Sequence, residues 1–405
     1  MALTSYQRRL VVFLSVATFF EGFDFIALTQ VLPTVQREMH LDQTASGILL
    51  SVTNAGTVLA YVLVRLADRV GRRRLLFVTI LGYTLSTALT AASVTVWDFA
   101  LWQFSARVFL IAEYAVSMVL AAEELPADRR ATIIGVLQGA SSLGAVMCAG
   151  IVPLLLKSAW TWRTVYLVGV APLLLMAFLR RSLVESKRFE ALTAAERAPR
   201  PLVHIFSTSY KRRMLQLAII WGLTYLCAQN AVQFWKVFVM NERAFSEEMA
   251  AQSIKWAALG SMPVLFSFGW VMDRIGRRRA AAILFPTGAL SVALSYSLHD
   301  QVALTLALAW GMFSVSAFLP LLSSFSTELF PTDLRGDAFA WANNLLGRIT
   351  YVLSPSLVGW LAEREHSYTV PMVATTVFPI VALVLLLRWF PETARRELED
   401  TSASG

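Results

Sequence analysis

The chain has 405 residues, of which 57% are hydrophobic and 15% charged, and its mean hydropathy is +0.59. Soluble domains run nearer about 45–50% apolar and about 25% charged, and disorder requires low hydrophobicity, so a soluble enzyme and a disordered chain are both excluded. The formal net charge of +8 raises nucleic acid as a partner, but the placement of the charges decides against it.

A membrane-spanning helix takes roughly 20 apolar residues, and twelve such runs follow one another along the chain. The first six lie near 9–36, 44–67, 75–95, 97–122, 130–156 and 163–181. The second six lie near 212–238, 249–272, 280–298, 301–327, 336–362 and 369–390. Arg8 and Arg9 before the first run imitate a signal peptide. The run from Leu10 to about Pro33 is longer than a signal core, however, and no convincing small-residue cleavage site follows. One long polar stretch, 182–211, carries Glu185, Lys187, Arg188, Glu190, Glu196, Arg197, Pro199, Arg200 and Pro201. The expected class is an all-α membrane protein of twelve helices. Its parts are a six-helix bundle over 1–182, a linker over 183–211, a second bundle over 212–392 and a tail over 393–405.

The basic residues set the orientation. With the N-terminus cytoplasmic, that side collects Arg8, Arg9, Arg69, Arg72, Arg73, Arg74, Arg129, Arg130, Arg274, Arg277, Arg278, Arg279, Arg335, Arg395 and Arg396, with most of the linker. The opposite side holds Arg37, Lys157, Arg163, Lys236, Arg243 and Arg364. The charge is therefore topology plus attraction to an anionic leaflet. Basic residues split among short loops make a poor nucleic-acid surface. The expected partners are the bilayer and a small-molecule substrate, and the chain is read as a monomer. Both termini are placed in the cytoplasm. The absence of an Asn-x-Ser/Thr sequon fits a bacterial inner membrane.

Cys148 and Cys227 lie in apolar runs and make no disulfide framework. His40, His204, His299 and His366 lack metal-ligand spacing, and no phosphate-binding loop is present. Neither a cofactor nor a metal is expected, and nothing in the chain points to the use of ATP. No nucleophile–base set suggests an enzyme.

The most informative feature is an internal repeat. Asp68-Arg69-Val70-Gly71-Arg72-Arg73-Arg74 returns as Asp273-Arg274-Ile275-Gly276-Arg277-Arg278-Arg279, 205 residues later. The pattern Glu-x-x-Pro-x-x-x-Arg spans Glu123 to Arg130 and returns from Glu328 to Arg335, again 205 later. Val184-Glu185-Ser186 is echoed by Pro391-Glu392-Thr393. The chain is thus two six-helix halves in the same orientation, a parallel repeat.

These residues resemble the major facilitator superfamily over essentially the whole chain. The Asp-Arg-x-Gly-Arg-Arg-Arg loop is that family's signature. Its usual Gly four residues before the Asp is present as Gly269, while Val64 stands there in the first half. The Glu-x-x-Pro-x-x-x-Arg helix ends and Pro391-Glu392-Thr393 look like the sugar and metabolite branch. Glu21-Gly22-Phe23-Asp24 looks like the Asp-Gly-x-Asp of proton-coupled aromatic-acid symporters. The resemblance implies alternating access around a midplane site. It also implies a cytoplasmic gate of ion pairs drawn from Asp68, Arg69, Arg72, Glu123, Arg130, Asp273, Arg274, Arg277, Glu328 and Arg335. The plainer role of those residues is topology and solvation.

An ionisable residue inside a spanning helix costs roughly 2.5–3.5 kcal/mol, which marks it as functional by default. Helix 1 carries Glu21 and Asp24, helix 4 carries Arg107 and Glu113, and helix 11 carries Arg348. At 1.5 Å per residue, Arg107 and Asp24 lie roughly 14 Å and 18 Å below the outer ends of their helices, depths that permit pairing. Arg107 and Glu113 fall on different faces of helix 4, while Tyr114 shares the Arg107 face. Helix 7 offers Gln229, Asn230 and Gln233 to a polar ligand, with interhelical hydrogen bonding as the simpler role. The expected function is proton-coupled symport of a small organic anion or polar metabolite. Arg107 and Arg348 hold the anion, with Tyr114 and the helix 7 amides, and Glu21, Asp24 and Glu113 are candidates for the proton. A proton-coupled drug or cation antiporter and a facilitative sugar porter are the alternatives.

Overall fold

The computed structural model describes residues 4–124, 130–179, 202–331 and 334–394. The first six helices are α1 (Ser5–Glu38), α2 (Gln43–Val70), α3 (Arg72–Ala91), α4 (Val96–Glu124), α5 (Arg130–Leu156) and α6 (Trp162–Leu179). After a short 3₁₀ turn at Leu202–Ser207 come α7 (Lys211–Gln233), α8 (Trp235–Glu242), α9 (Glu247–Ile275), α10 (Arg277–Ser297) and α11 (Gln301–Glu328). The chain continues through α12 (Arg335–Phe339), a π-helical stretch over Ala340–Gly347, α13 (Arg348–Glu365), α14 (Thr369–Thr375) and α15 (Val377–Trp389). Ten of these segments are long and apolar enough to cross a membrane, α9 adds a bent one, and α6 supplies a shorter apolar helix. Together they make the twelve expected spans. Large apolar side chains such as Leu154, Phe178, Leu306 and Val384 are exposed, as a lipid-facing surface requires.

The local structure departs from the expected runs where hydropathy carries no signal. α1 begins at Ser5 and not near 9, because Thr4 and Gln7 form a reciprocal cap: the Thr4 hydroxyl accepts from the Gln7 amide at 3.2 Å, and the Gln7 side chain accepts from the Thr4 amide at 3.1 Å. The seventh run breaks at Phe234 into α7 and α8. The eleventh passes through the π-helical stretch, and the twelfth breaks at Thr376. In the repeated loops, Gly71 (φ 101°) and Gly276 (φ 94°) join consecutive helices. A backbone angle of that sign strains any side-chain-bearing residue, which explains the glycine of each motif.

The chain forms two compact units, Met1–His40 with Val52–Pro199, and Leu41–Ser51 with Arg200–Gly405. In the first, α1 crosses α5 so closely that a Cβ on Gly22 would collide with the Ser141 carbonyl and one on Gly144 with the Phe19 carbonyl. α3 packs on α4 and α6. The core includes Leu14, Leu76, Ile80, Leu110, Val116 and Leu120. Glu38 ties the ends of α1 and α6 together, accepting from Trp162 Nε1 at 2.6 Å and pairing with Arg163 at 2.5 Å.

In the second unit α9 and α10 pack on α11, and α7 packs on the π-helical stretch and α13. Its core includes Trp221, Phe285, Leu321 and Phe325. Glu242 at the end of α8 accepts from the Ser367 hydroxyl at 2.6 Å and the Tyr368 amide at 2.5 Å, while Arg243 donates to Leu298 O at 2.8 Å. The opening turn of α2 lies against α13, where Glu363 accepts the Gln43 amide at 2.8 Å and the Ser51 and Ser356 hydroxyls meet at 2.7 Å.

Candidate functional site

Two arginines lie at depth in the spanning helices, one in each unit. In the first, Asp24 of α1 and Arg107 of α4 form an ion pair at 3.4 Å, with residue exposures of only 7% and 5%. The pairing suggested by their depths is therefore present. The Tyr83 hydroxyl on α3 donates to Asp24 and stands beside Thr87. The backbone of α2 supports the pair from behind, since a Cβ on Gly56 would come within 3.0 Å of the Arg107 Cβ. Glu21, three residues before Asp24, turns to α5 and accepts from the Ser141 hydroxyl at 2.6 Å. Tyr114 lies near Glu21. Glu113 faces α3, buried at 2% exposure, and accepts from the Thr79 hydroxyl.

In the second unit Arg348 opens α13 directly after the π-helical stretch. Extra π turns are rare and occur most often at functional sites. The Arg348 guanidinium stands 5.2 Å from the Tyr351 ring and 6.0 Å from the Tyr225 ring. Cation–π contacts of this kind contribute about 0.5–2 kcal/mol. The Tyr225 hydroxyl donates to Asn343 Oδ1 at 2.7 Å, and its ring stacks on Trp221 at 5.4 Å. Arg348 Nε is buried without a hydrogen-bond partner, and no carboxylate pairs with Arg348 among the described residues. Of the helix 7 amides, Asn230 donates back to Leu226 O at 3.0 Å and leaves Oδ1 buried without a partner. Gln229 and Gln233 are buried.

At the arginine-rich end of the second unit, Arg277 binds Asp273 at 2.8 Å and Glu328 at 3.1 Å, assembling three of the expected gate residues. Arg274 instead lies over the Trp270 ring at 4.4 Å, and Nε and Nη2 of Arg335 are buried without hydrogen-bond partners. In the first unit Arg72 is buried. The side chains of Asp68, Arg69, Glu123 and Arg130 lie outside the described residues.

Glu392, which the expected gate did not include, meets the backbone of one of its residues, Arg277. It accepts from the amides of Arg277 (2.8 Å), Arg278 (3.0 Å), Thr393 (3.1 Å) and Ala394 (3.0 Å), capping the N-terminus of α10. Burial pushes its carboxyl up, but these amide bonds outweigh burial and hold it below the ordinary glutamate value. Arg278 completes the clasp by donating to Phe390 O at 3.1 Å and Leu387 O at 2.7 Å. The signal for Glu392 was available as the repeat echo at Pro391-Glu392-Thr393. Tyr83 and Tyr225 had no comparable signal.

Twelve spans, a repeated arginine-rich loop and charged clusters buried inside each unit define a polytopic membrane transporter. A family model of the Major Facilitator Superfamily matches residues 14–350, and the chain belongs to that superfamily. It is similar to the gallate transporter of Pseudomonas putida, at 24% identity over 88% of this chain and 86% of that one. It is also similar to the cis,cis-muconate transport protein of Acinetobacter baylyi, at 24% identity over 87% and 86%. Among solved structures it matches a D-xylose-proton symporter with a TM-score of 0.75 at 15% identity, over 96% of this chain and 99% of that one. The chain is thus a secondary active transporter and not an enzyme.

Proposed function

We propose that this protein is a proton-coupled symporter that takes up a small organic anion by alternating access, the anion being a carboxylate on a flat unsaturated or aromatic frame. The observation that carries this reading is Arg348, a guanidinium with no carboxylate among the described residues and with two tyrosine rings beside it. An ion inside a membrane protein is expensive, so an unpaired one is best explained as awaiting its partner. A planar carboxylate matches the guanidinium fork and offers a ring or diene to the Tyr225 and Tyr351 faces. The relatives named for gallate and muconate transport, both flat carboxylates, support the same class.

The Asp24–Arg107 pair is assigned the proton. Protonating Asp24 releases Arg107, and deprotonating it restores the pair. The arginine-rich ends and both termini face the cytoplasm, in a bacterial inner membrane, and the working unit is a monomer.

The test is uptake into proteoliposomes under an imposed pH gradient, with gallate, muconate, xylose and a lipophilic cation as probes. Gradient-driven uptake of a carboxylate, lost in Arg348→Ala, is the expected result. Xylose uptake indifferent to the gradient, or cation efflux that needs Asp24, would replace this reading with a sugar porter or an antiporter.

A further inference from the structure

A proton held at Asp24, the assignment on which this inference rests, lies beside a seam of polar groups shared by α3 and α4. On α3, Thr79, Tyr83, Thr87 and Thr90 are spaced by four, four and three residues, which places them on one helix face, and their exposures are 0%, 4%, 6% and 0%. Polar partners meet this face at several levels. Gln103 Nε2 of α4 donates to Thr90 Oγ1 at 3.2 Å. Tyr83 meets Asp24, which pairs with Arg107. Thr79 meets Glu113. Thr79 lies one helical turn from Tyr83, about 6 Å along the axis.

The Thr79–Glu113 contact has a property the other levels lack. A hydroxyl carries one proton and two lone pairs, yet Thr79 Oγ1 lies against three acceptors: Glu113, Leu75 O at 2.9 Å and Leu76 O at 3.2 Å. With Glu113 ionised, the Thr79 proton points to the carboxylate. With Glu113 protonated, the carboxyl O–H donates to Thr79 Oγ1 and the Thr79 proton turns to the Leu75 carbonyl. Both protonation states of Glu113 are thus hydrogen-bonded by a rotation of one hydroxyl, in a place where an unsatisfied polar group is costly. Among the described residues, other titratable or charged groups around the seam are Asp24 and Glu21 on α1, Arg107 and Tyr114 on α4, Cys148 on α5 and Tyr166 on α6, with Arg72 buried two turns before Thr79 on the same face of α3. Glu21 is held apart on Ser141. The Tyr166 hydroxyl is buried without a partner.

We infer that Glu113 is a second proton-binding site of this transporter, with Thr79 as its reversible hydrogen-bond partner. One proton passes from the Asp24 carboxyl to the Glu113 carboxylate along the α3–α4 seam. The transfer leaves the net charge of the seam unchanged and leaves Asp24 ionised against Arg107, the pairing seen here. Glu113 thereby keeps the proton inside the first unit after Asp24 has recovered its arginine.

Two measurements on the full chain test this. The first is infrared titration of the carboxylic-acid carbonyl stretch in lipid bilayers without substrate. A protonated-acid band that grows in on acidification should be lost in Glu113→Gln, shift in Thr79→Val and survive in Asp24→Asn. A band unchanged in both Glu113→Gln and Thr79→Val overturns the assignment, whatever the transported anion proves to be. The second uses gallate as the probe in proteoliposomes. Glu113→Gln and Thr79→Val should slow pH-driven accumulation by about a hundredfold, the low end of what a positioned proton-transfer group contributes to a rate, while leaving gallate counterflow intact. Accumulation lost in Asp24→Asn but kept in both seam variants removes Glu113 from the route and leaves proton coupling standing. Accumulation kept in all three removes the proton-coupled reading itself.

Discussion

Arg107 and Arg348 are the same residue type at comparable depth in their spans, and their surroundings differ. Arg107 is 5% exposed, and Asp24 answers its charge at 3.4 Å. Arg348 is half-buried and has aromatic rings where a carboxylate would be expected. A buried charge with a built-in counterion is suited to storing and releasing a proton. One without a counterion is suited to receiving an anion from outside. The difference lies in what the neighbouring helices supply: α1 brings an aspartate to Arg107, and α7 brings Tyr225 to Arg348.

The largest effect should come from splitting the first pair. Removing one partner of a buried ion pair strands the other charge and costs about 3–5 kcal/mol, whereas removing both is far milder. Asp24→Asn and Arg107→Gln should each lower the melting temperature in lipid, and the double variant should recover most of the loss. Arg348→Gln, which strands nothing, should leave melting nearly unchanged. Equal destabilisation by Arg107→Gln and Arg348→Gln would erase the contrast.

A smaller effect sharpens the contrast on the substrate side. Lysine keeps the charge but loses the planar fork and the ring contacts. Arg348→Lys should therefore reduce initial uptake by about a hundredfold, the loss of about 2.7 kcal/mol, with little change in protein stability. Uptake at the wild-type rate would mean that charge alone suffices and that the tyrosine faces are incidental.

The smallest effect concerns the clasp at Glu392, away from both arginines. Its folded-state carboxyl lies below the ordinary value of 4.5, so the stability it contributes is present above that value and is lost as pH falls through the folded one. Wild-type protein should melt progressively lower on acidification below about pH 4.5, and Glu392→Gln should flatten that acid limb. An unchanged acid limb would show that the α10 cap does not depend on the carboxylate's charge.

The twelve spans and the duplication were legible because a bilayer imposes a length and a hydropathy that any window of residues reports. The depths of Asp24 and Arg107 permitted their pairing, but the packing of α1 on α4 is what selects Asp24 over Glu21 and Glu113 as the partner. Tyr83 and Thr79 were not legible, because a hydroxyl in an apolar run scarcely alters hydropathy, and only the packing of α3 on α4 reveals its partner. The tyrosines around Arg348 were lost among 10 tyrosines and 25 phenylalanines, most of which pack or face lipid. Glu392 was noticed as a repeat echo, yet its role needed the geometry of the Gly276 turn, which brings the α10 amides to it. The break at Phe234 has neither proline nor glycine beside it, so no local residue announced it, whereas the break at Thr376 comes three residues before Pro379, which cannot donate back to Thr375.

The π-helical stretch at Ala340–Gly347 holds a further consequence. A π turn packs an additional residue into the length of an ordinary turn, so it behaves as an insertion that the helix has absorbed. Deleting one residue from it would restore regular winding and leave Arg348 and Tyr351 on the face they occupy now, whereas the same deletion in an unbroken helix turns everything downstream by about 100°. The stretch is in this sense a buffer in the count: it lets the helix carry a residue more without turning Arg348 away from Tyr225, whatever the residues themselves are.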